Sequence, residues 1–180
     1  MASWHATARV IRVPLGFAFA VFFLRLAKPT SSSIAWGAAA IVPGLLLRAL
    51  ASGHVRKNEQ LATSGPYSYT RNPLYLGSLI LAVGFAIAAR SLWIGVGLLI
   101  FFVVIYVPVI RSEEAFLRSR FPEFDDYARS VPGMFPRLTP YRQDQAAFSW
   151  ELYKKHREYN AVLGAAILVL ALLAKMIWIN

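Results

Sequence analysis

Five long apolar stretches set the strongest limit on what this chain can fold into. They cover residues 10–26, 34–50, 74–89, 92–110 and 161–179. Each is close to the ~20 residues an α-helix needs to cross roughly 30 Å of hydrocarbon. The expectation is an all-α transmembrane bundle of about five spanning helices, with further helices lying at one membrane interface. Only Arg90 and Ser91 separate the third stretch from the fourth, which predicts a tight antiparallel hairpin. Arg9 and Arg12 ahead of the first stretch give it the look of a signal peptide. Arg25-Leu-Ala-Lys28 then follows instead of a small-residue cleavage site, so the stretch reads as a helix.

Composition agrees with a membrane. Hydrophobic residues make up 57% of the chain and charged residues 16%, against roughly 25% charged in ordinary globular proteins. A soluble domain of this size buries only about two-thirds of the surface its unfolded chain exposes, too little to hide so much apolar area. The absence of cysteine excludes disulfides, thiolate zinc sites, iron–sulfur clusters and cysteine nucleophiles. His5, His54 and His156 stand too far apart for a local metal motif, and no metal is expected. The net charge of +10 fits basic loops held at an anionic cytoplasmic face better than it fits nucleic acid.

Lys and Arg also set the orientation. With five crossings and a cytoplasmic N-terminus, only Arg25, Lys28, Arg90 and Lys175 of the 19 basic residues fall near the outer face. All nine acidic residues, from Glu59 to Glu158, fall on the inner side. Polar chemistry is therefore expected in two inner segments, 52–72 and 111–160. Within the second, 113–127 reads as an amphipathic helix broken at Pro122, with Leu117, Phe121, Phe124 and Ala128 on one side. Residues 131–141 hold three prolines and a glycine and read as irregular. Residues 143–160 read as a basic helix with aromatics lying along the headgroups. Lys175 reads as snorkelling, and Gly95 and Gly97 as helix-packing positions.

The densest cluster of specific residue types runs from Asn58 through Tyr67 to Gly77. Parts of it have plain structural uses. Gly65-Pro66 marks a turn, and Asn72-Pro73 looks like a cap and first residue of a helix. Tyr67, Tyr69 and Tyr75 suit an interfacial belt. Together with Arg71 and Glu59, however, they set turns and tyrosines before a helix N-terminus, whose free N–H groups favour a carboxylate. That combination fits a small zwitterionic cofactor with a flat ring. The second cluster, Arg111-Ser-Glu-Glu114, lies where the fourth stretch ends. It reads either as the start of a solvated face or as a site. Arg111 suits a phosphate or carboxylate, and Glu113 and Glu114 suit a cation, an amine or ribose hydroxyls. His54 reads either as a headgroup-level histidine or as a general base.

The runs Leu61-Ala-Thr-Ser-Gly-Pro-Tyr67, Arg71-Asn-Pro-Leu-Tyr-Leu-Gly77, Glu113-Glu114 and Phe121-Pro-Glu-Phe-Asp-Asp-Tyr127 resemble the isoprenylcysteine carboxyl methyltransferase family, which is related to the membrane phospholipid methyltransferases. The resemblance covers roughly residues 45–138. Residues 139–160 then read as an interfacial segment and 161–180 as the last helix of a single domain, 1–180. The resemblance implies an S-adenosylmethionine site without a Rossmann fold. By position, Glu59, Gln60, Leu61, Ala62, Tyr67, Asn72, Pro73, Leu74, Tyr75 and Glu113 would hold the cofactor. Arg111, Glu114 and His54 are the candidates for catalysis. Two departures stand out. Asn72 occupies the family's usual histidine position, and Val109 occupies that of a substrate-side arginine. The implied acceptor is a lipid or prenylated molecule reached from the bilayer, of the isoprenylcysteine-carboxylate type, or else a phospholipid amine. From other classes come a membrane scaffold or carrier and a nicotinamide-dependent membrane reductase. The oligomeric state is open.

Overall fold

The computed structural model describes residues 21–56, 59–141 and 146–179. All regular structure among them is helical: residues 21–26 (α1), then α2 Ser31–Ser52, α3 Pro73–Ala89, α4 Leu92–Phe101, α5 Val107–Arg120, α6 Phe124–Ser130, α7 Trp150–Lys155 and α8 Tyr159–Ile179. The rest of the first apolar stretch, with His5, lies outside the described residues. Three helices are long and apolar enough to cross a membrane: Ser31–Ser52, Leu92–Arg120 and Tyr159–Trp178. The 17 apolar residues of α3 are at the short end of the range that spans hydrocarbon. The molecule is a helical membrane bundle.

The α2–α3 pair forms its centre. Lipid supplies no hydrophobic drive between helices, so close backbone approach through small residues does that work. Gly37 lies against Gly84, and Gly44 against Gly77. A Cβ added to Gly84 would come within 2.8 Å of the Gly37 carbonyl oxygen, and one added to Gly77 within 2.9 Å of that of Gly44. The seven-residue spacing within each helix keeps both glycines on one seam of an antiparallel pair. Polar bonds fasten both ends. Thr30 and Ser33 form a capping box at the start of α2, and Ser33 Oγ also donates to the Ala88 carbonyl. At the other end Arg48 Nη1 donates to the Leu74 carbonyl and to Ser78 Oγ.

Arg90, in the left-handed region at φ 49°, closes α3 and makes the expected hairpin into α4. A π-turn, Phe102–Tyr106, joins α4 to α5 just ahead of Pro108. Proline has no N–H to donate and its ring crowds the carbonyl four residues back, and a widened turn accommodates both. The helix continues to Arg120, well beyond the apolar stretch. It breaks at residues 121–123 around Pro122 and resumes as α6, as the pattern predicts. Phe124, Tyr127 and Val131 form a small core with Leu61, Leu117, Phe121 and Ala128.

Three expectations need correction. Lys175 does not snorkel: its ammonium donates to the carbonyls of Leu24, Arg25 and Ala27, capping the end of α1. A cation there complements the negative end of the helix dipole. Among the described residues, Gly95 and Gly97 are not packing positions. Nothing described lies within 4 Å of a Cβ added to Gly97, and Gly95 meets only Ala86 at 3.9 Å. Of the 143–160 segment, residues 146–149 are not helical and only Trp150–Lys155 forms a helix before α8. This segment docks onto the end of α2. Phe148 covers Gly53, the Ser149 N–H donates to the Gly53 carbonyl, and His156 Nδ1 lies 3.1 Å from the Ser52 carbonyl oxygen. Residues 142–145 lie outside the described residues.

Candidate active site

The first turn of α3 and the polar end of α5 meet through side chains. Asn72 is the N-cap residue of α3 and Pro73 its first residue, but the Asn72 side chain makes no capping bond. Its amide nitrogen donates instead to Glu114 Oε1 at 3.1 Å and to the Gly133 carbonyl at 2.9 Å. The simple cap expected of Asn72 is thereby replaced by a bridge between three segments distant in sequence. Arg71 completes it. Its Nε and Nη2 donate to the two oxygens of Glu114, at 3.0 and 3.3 Å, and its Nη1 donates to the carbonyls of Ala128 and Val131. Every donor of the fork but one faces a fixed acceptor, an arrangement that suits arginine and that lysine's point charge cannot copy.

Fixing Glu114 in this way sets the position of its neighbour. Glu113 is exposed, and its carboxylate lies within hydrogen-bonding reach of the Tyr75 hydroxyl. Tyr75 packs edge-on against Tyr106, with ring centroids 5.6 Å apart. Tyr106 belongs to the π-turn and stacks on Phe102 at 5.3 Å. The widened turn thus supplies an aromatic wall next to Glu113. Tyr67 is buried in the 3-10 turn Gly65–Ser68, and its carbonyl accepts from the Tyr127 hydroxyl at 2.7 Å. Burial pushes the ionisation of both Tyr67 and Tyr127 well above the usual phenol range, and neighbouring acidic groups, Glu113 among them for Tyr67, add to it. Both stay neutral, and the Tyr127 hydroxyl is a donor.

The other expected residues spread around this point. Leu61 packs into the α6 core and Ala62 is half-buried. Glu59 and Gln60 are exposed, with Glu59 3.8 Å from Lys155. The Leu74 carbonyl accepts from Arg48. Arg111 is exposed one turn before Glu114. His54 Nδ1 lies 2.7 Å from the Leu50 carbonyl oxygen, which assigns the proton to Nδ1. Its ring sits over Gly65, where a Cβ would come within 2.6 Å of Nε2, and beside Phe148. Gly65 is at φ +56°, so glycine there answers both to the backbone and to the histidine.

Sequence reasoning missed Arg48 and Glu158. Arg48 Nε and Nη2 donate to the two oxygens of Glu158, at 3.1 and 2.7 Å, tying α2 to the start of α8. Arg48 is also within electrostatic reach of Tyr75. The available signal was an arginine inside an apolar stretch, where an ionised group needs a stated partner. A separate recess of about 520 Å³ borders the other side of Arg71, lined by Arg118, Asp125, Ala128 and Arg129. Among the described residues no group of three or more His, Asp or Glu side chains is gathered as a metal site.

This meeting of α3 with α5 falls largely within the region that the sequence model of the phospholipid methyltransferase family matches, residues 33–123. The chain belongs to that family. Two curated relatives match as well. It is 40% identical over 119 residues to the cobalt-zinc-cadmium resistance protein CzcN of Cupriavidus metallidurans, covering 63% of this chain and 54% of that protein. It is 44% identical over 89 residues to the nickel-cobalt-cadmium resistance protein NccN of Alcaligenes xylosoxydans xylosoxydans, covering 49% of this chain and 42% of that protein. The chain therefore spans about half the length of these relatives. No solved structure matches. Membership in the phospholipid methyltransferase family points to a membrane methyltransferase.

Proposed function

We propose that this protein transfers the methyl group of S-adenosylmethionine to a carboxylate on a lipid-like acceptor, of the isoprenylcysteine type. The observation that carries the reading is the Asn72–Glu114–Arg71 bridge, which joins the start of α3 to α5 and leaves Glu113 beside Tyr75. The donor set suits a sulfonium ion. A carboxylate and the faces of tyrosine rings both attract a cation, and Glu113 with Tyr75 and Tyr106 offers both. The first turn of α3 suits the cofactor's carboxylate, near Asn72, Pro73 and Leu74. Tyr67, Glu59, Gln60, Leu61 and Ala62 would complete the pocket.

Bound S-adenosylmethionine supplies an electrophilic methyl carbon. What the chain must do is align a nucleophile with it, and orientation alone lowers such barriers by several kcal/mol, on the order of 7–11 at best. A carboxylate acceptor needs no deprotonation, whereas an ammonium must first lose a proton. The surroundings favour the acceptor that needs no base. Asn72 cannot take up a proton. Glu114 is engaged by Arg71 and Asn72, and His54 packs its ring over Gly65. The phospholipid amine is the second reading, favoured by Glu113, whose exposed carboxylate could accept a proton. Arg111, also exposed, would meet the phosphate of a phospholipid acceptor in that second reading. From the relatives' names we take metal resistance only as a growth phenotype in which to look for the activity.

A transfer assay with labelled methyl donor, against total membrane lipids and prenylcysteine analogues, tests the reading. Label released as methanol by mild alkali is the expected result. Alkali-stable label on a phospholipid amine selects the second reading. Label in no lipid at all overturns both.

A further inference from the structure

We propose that Arg48 is the residue that binds the acceptor's anionic group, and that Glu158 is a built-in competitor which occupies it until a lipid carboxylate takes its place. This rests on the carboxylate reading above. Three observations carry it. Arg48 is held as a planar fork by a carboxylate in two-point contact, the geometry arginine offers to any carboxylate. It approaches the first turn of α3 from α2, where its Nη1 donates at 3.3 Å to the carbonyl of Leu74, next to Tyr75. Glu158 lies at a break in the chain, between α7 and α8, directly after Arg157 in the left-handed region at φ 54°.

The Arg48 site is built for exchange. Its third nitrogen, Nη1, is anchored by the Leu74 carbonyl and Ser78 Oγ, so the guanidinium keeps its place when Glu158 leaves. Gly77 lies beneath the arginine stem, where a Cβ would meet Arg48 Cγ at 2.6 Å. Glu158 has no such anchoring in α2 or α3 among the described residues and reaches Arg48 from the turn that precedes α8. A lipid carboxylate arriving from the bilayer would replace one carboxylate by another, and the freed Glu158 would turn to solvent at the membrane boundary.

The test measures binding of N-acetyl-S-farnesylcysteine and of its methyl ester to the detergent-purified protein, with no methyl donor present. Native protein should prefer the acid by about tenfold, the value of one charge-assisted contact. Glu158→Gln should tighten acid binding several-fold and leave ester binding unchanged. Arg48→Gln should abolish the preference, and Arg48→Lys, a gentler change, should keep part of it. If Glu158→Gln weakens acid binding, or if Arg48→Gln and Arg48→Lys both retain the full preference, the pair is a structural tie and the proposal fails. Binding of S-adenosylhomocysteine is measured on the same samples. Its absence beside a retained acid preference would refute the methyl-transfer reading while supporting the role of Arg48.

Discussion

Glu113 and Glu114 are adjacent but have different duties. Glu114 accepts from both Arg71 and Asn72, whereas Glu113 is exposed beside Tyr75. Glu114→Ala should therefore destabilise the protein by about 3 kcal/mol or more, since it leaves a part-buried arginine unpaired; a lowered midpoint of thermal unfolding in detergent is the readout. Tyr75→Ala should weaken cofactor binding more than Tyr69→Ala, because Tyr69 is exposed and only its backbone is engaged, accepting from the Arg137 N–H. Equal effects would displace the pocket from the α3 start. The tyrosines also give a pH signature. The folded ionisation of Tyr67 and Tyr127 lies above the unfolded value of about 10. Their contribution is fully present below that value and is lost as pH rises beyond it. Stability should fall above pH ~10, and Tyr127→Phe should soften the fall. At this scale the sequence showed which residues were chemically apt. It did not show their partners, because Asn72 and Glu114, or Arg48 and Glu158, are brought together by helix packing.

At the scale of the elements, the apolar stretches were legible because a bilayer demands length and hydropathy, both local properties. The Pro122 break and the Arg90 hairpin were legible for the same reason. The packing seam was misread. Gly95 and Gly97 drew attention by their closeness to each other, yet the glycines that pack are Gly37, Gly44, Gly77 and Gly84. Their repeat of seven, present in both helices, was the better signal. A paired experiment separates the two sets. Gly84→Val should lower thermal stability strongly, since its Cβ would meet backbone and overpacking costs about 1–3 kcal/mol. Gly97→Val, with no described residue near the new side chain, should leave it unchanged. The docking of the 146–155 segment on α2 was not readable, because its aromatics serve a protein groove as well as they serve a headgroup layer.

For the whole molecule, one end of the bundle gathers the end of α2, the starts of α3 and α8, and α5, and with them the candidate site. The opposite end holds the Lys175 cap and the α3–α4 hairpin. The charge bias predicts that the site end faces the cytoplasm. The chain lacks cysteine, so single cysteines introduced at Ser112 and Ser91 can report this directly. An impermeant thiol reagent added outside intact cells should label Ser91→Cys and spare Ser112→Cys, and the reverse pattern would invert the orientation.

Calorimetric titration of the detergent-purified protein with S-adenosylmethionine tests whether the start of α3 and the polar part of α5 hold a positively charged methyl donor. Saturable binding to the native chain is expected, weakened about tenfold or more by Glu113→Ala. Heat no greater than dilution from a folded, monodisperse native sample would contradict it.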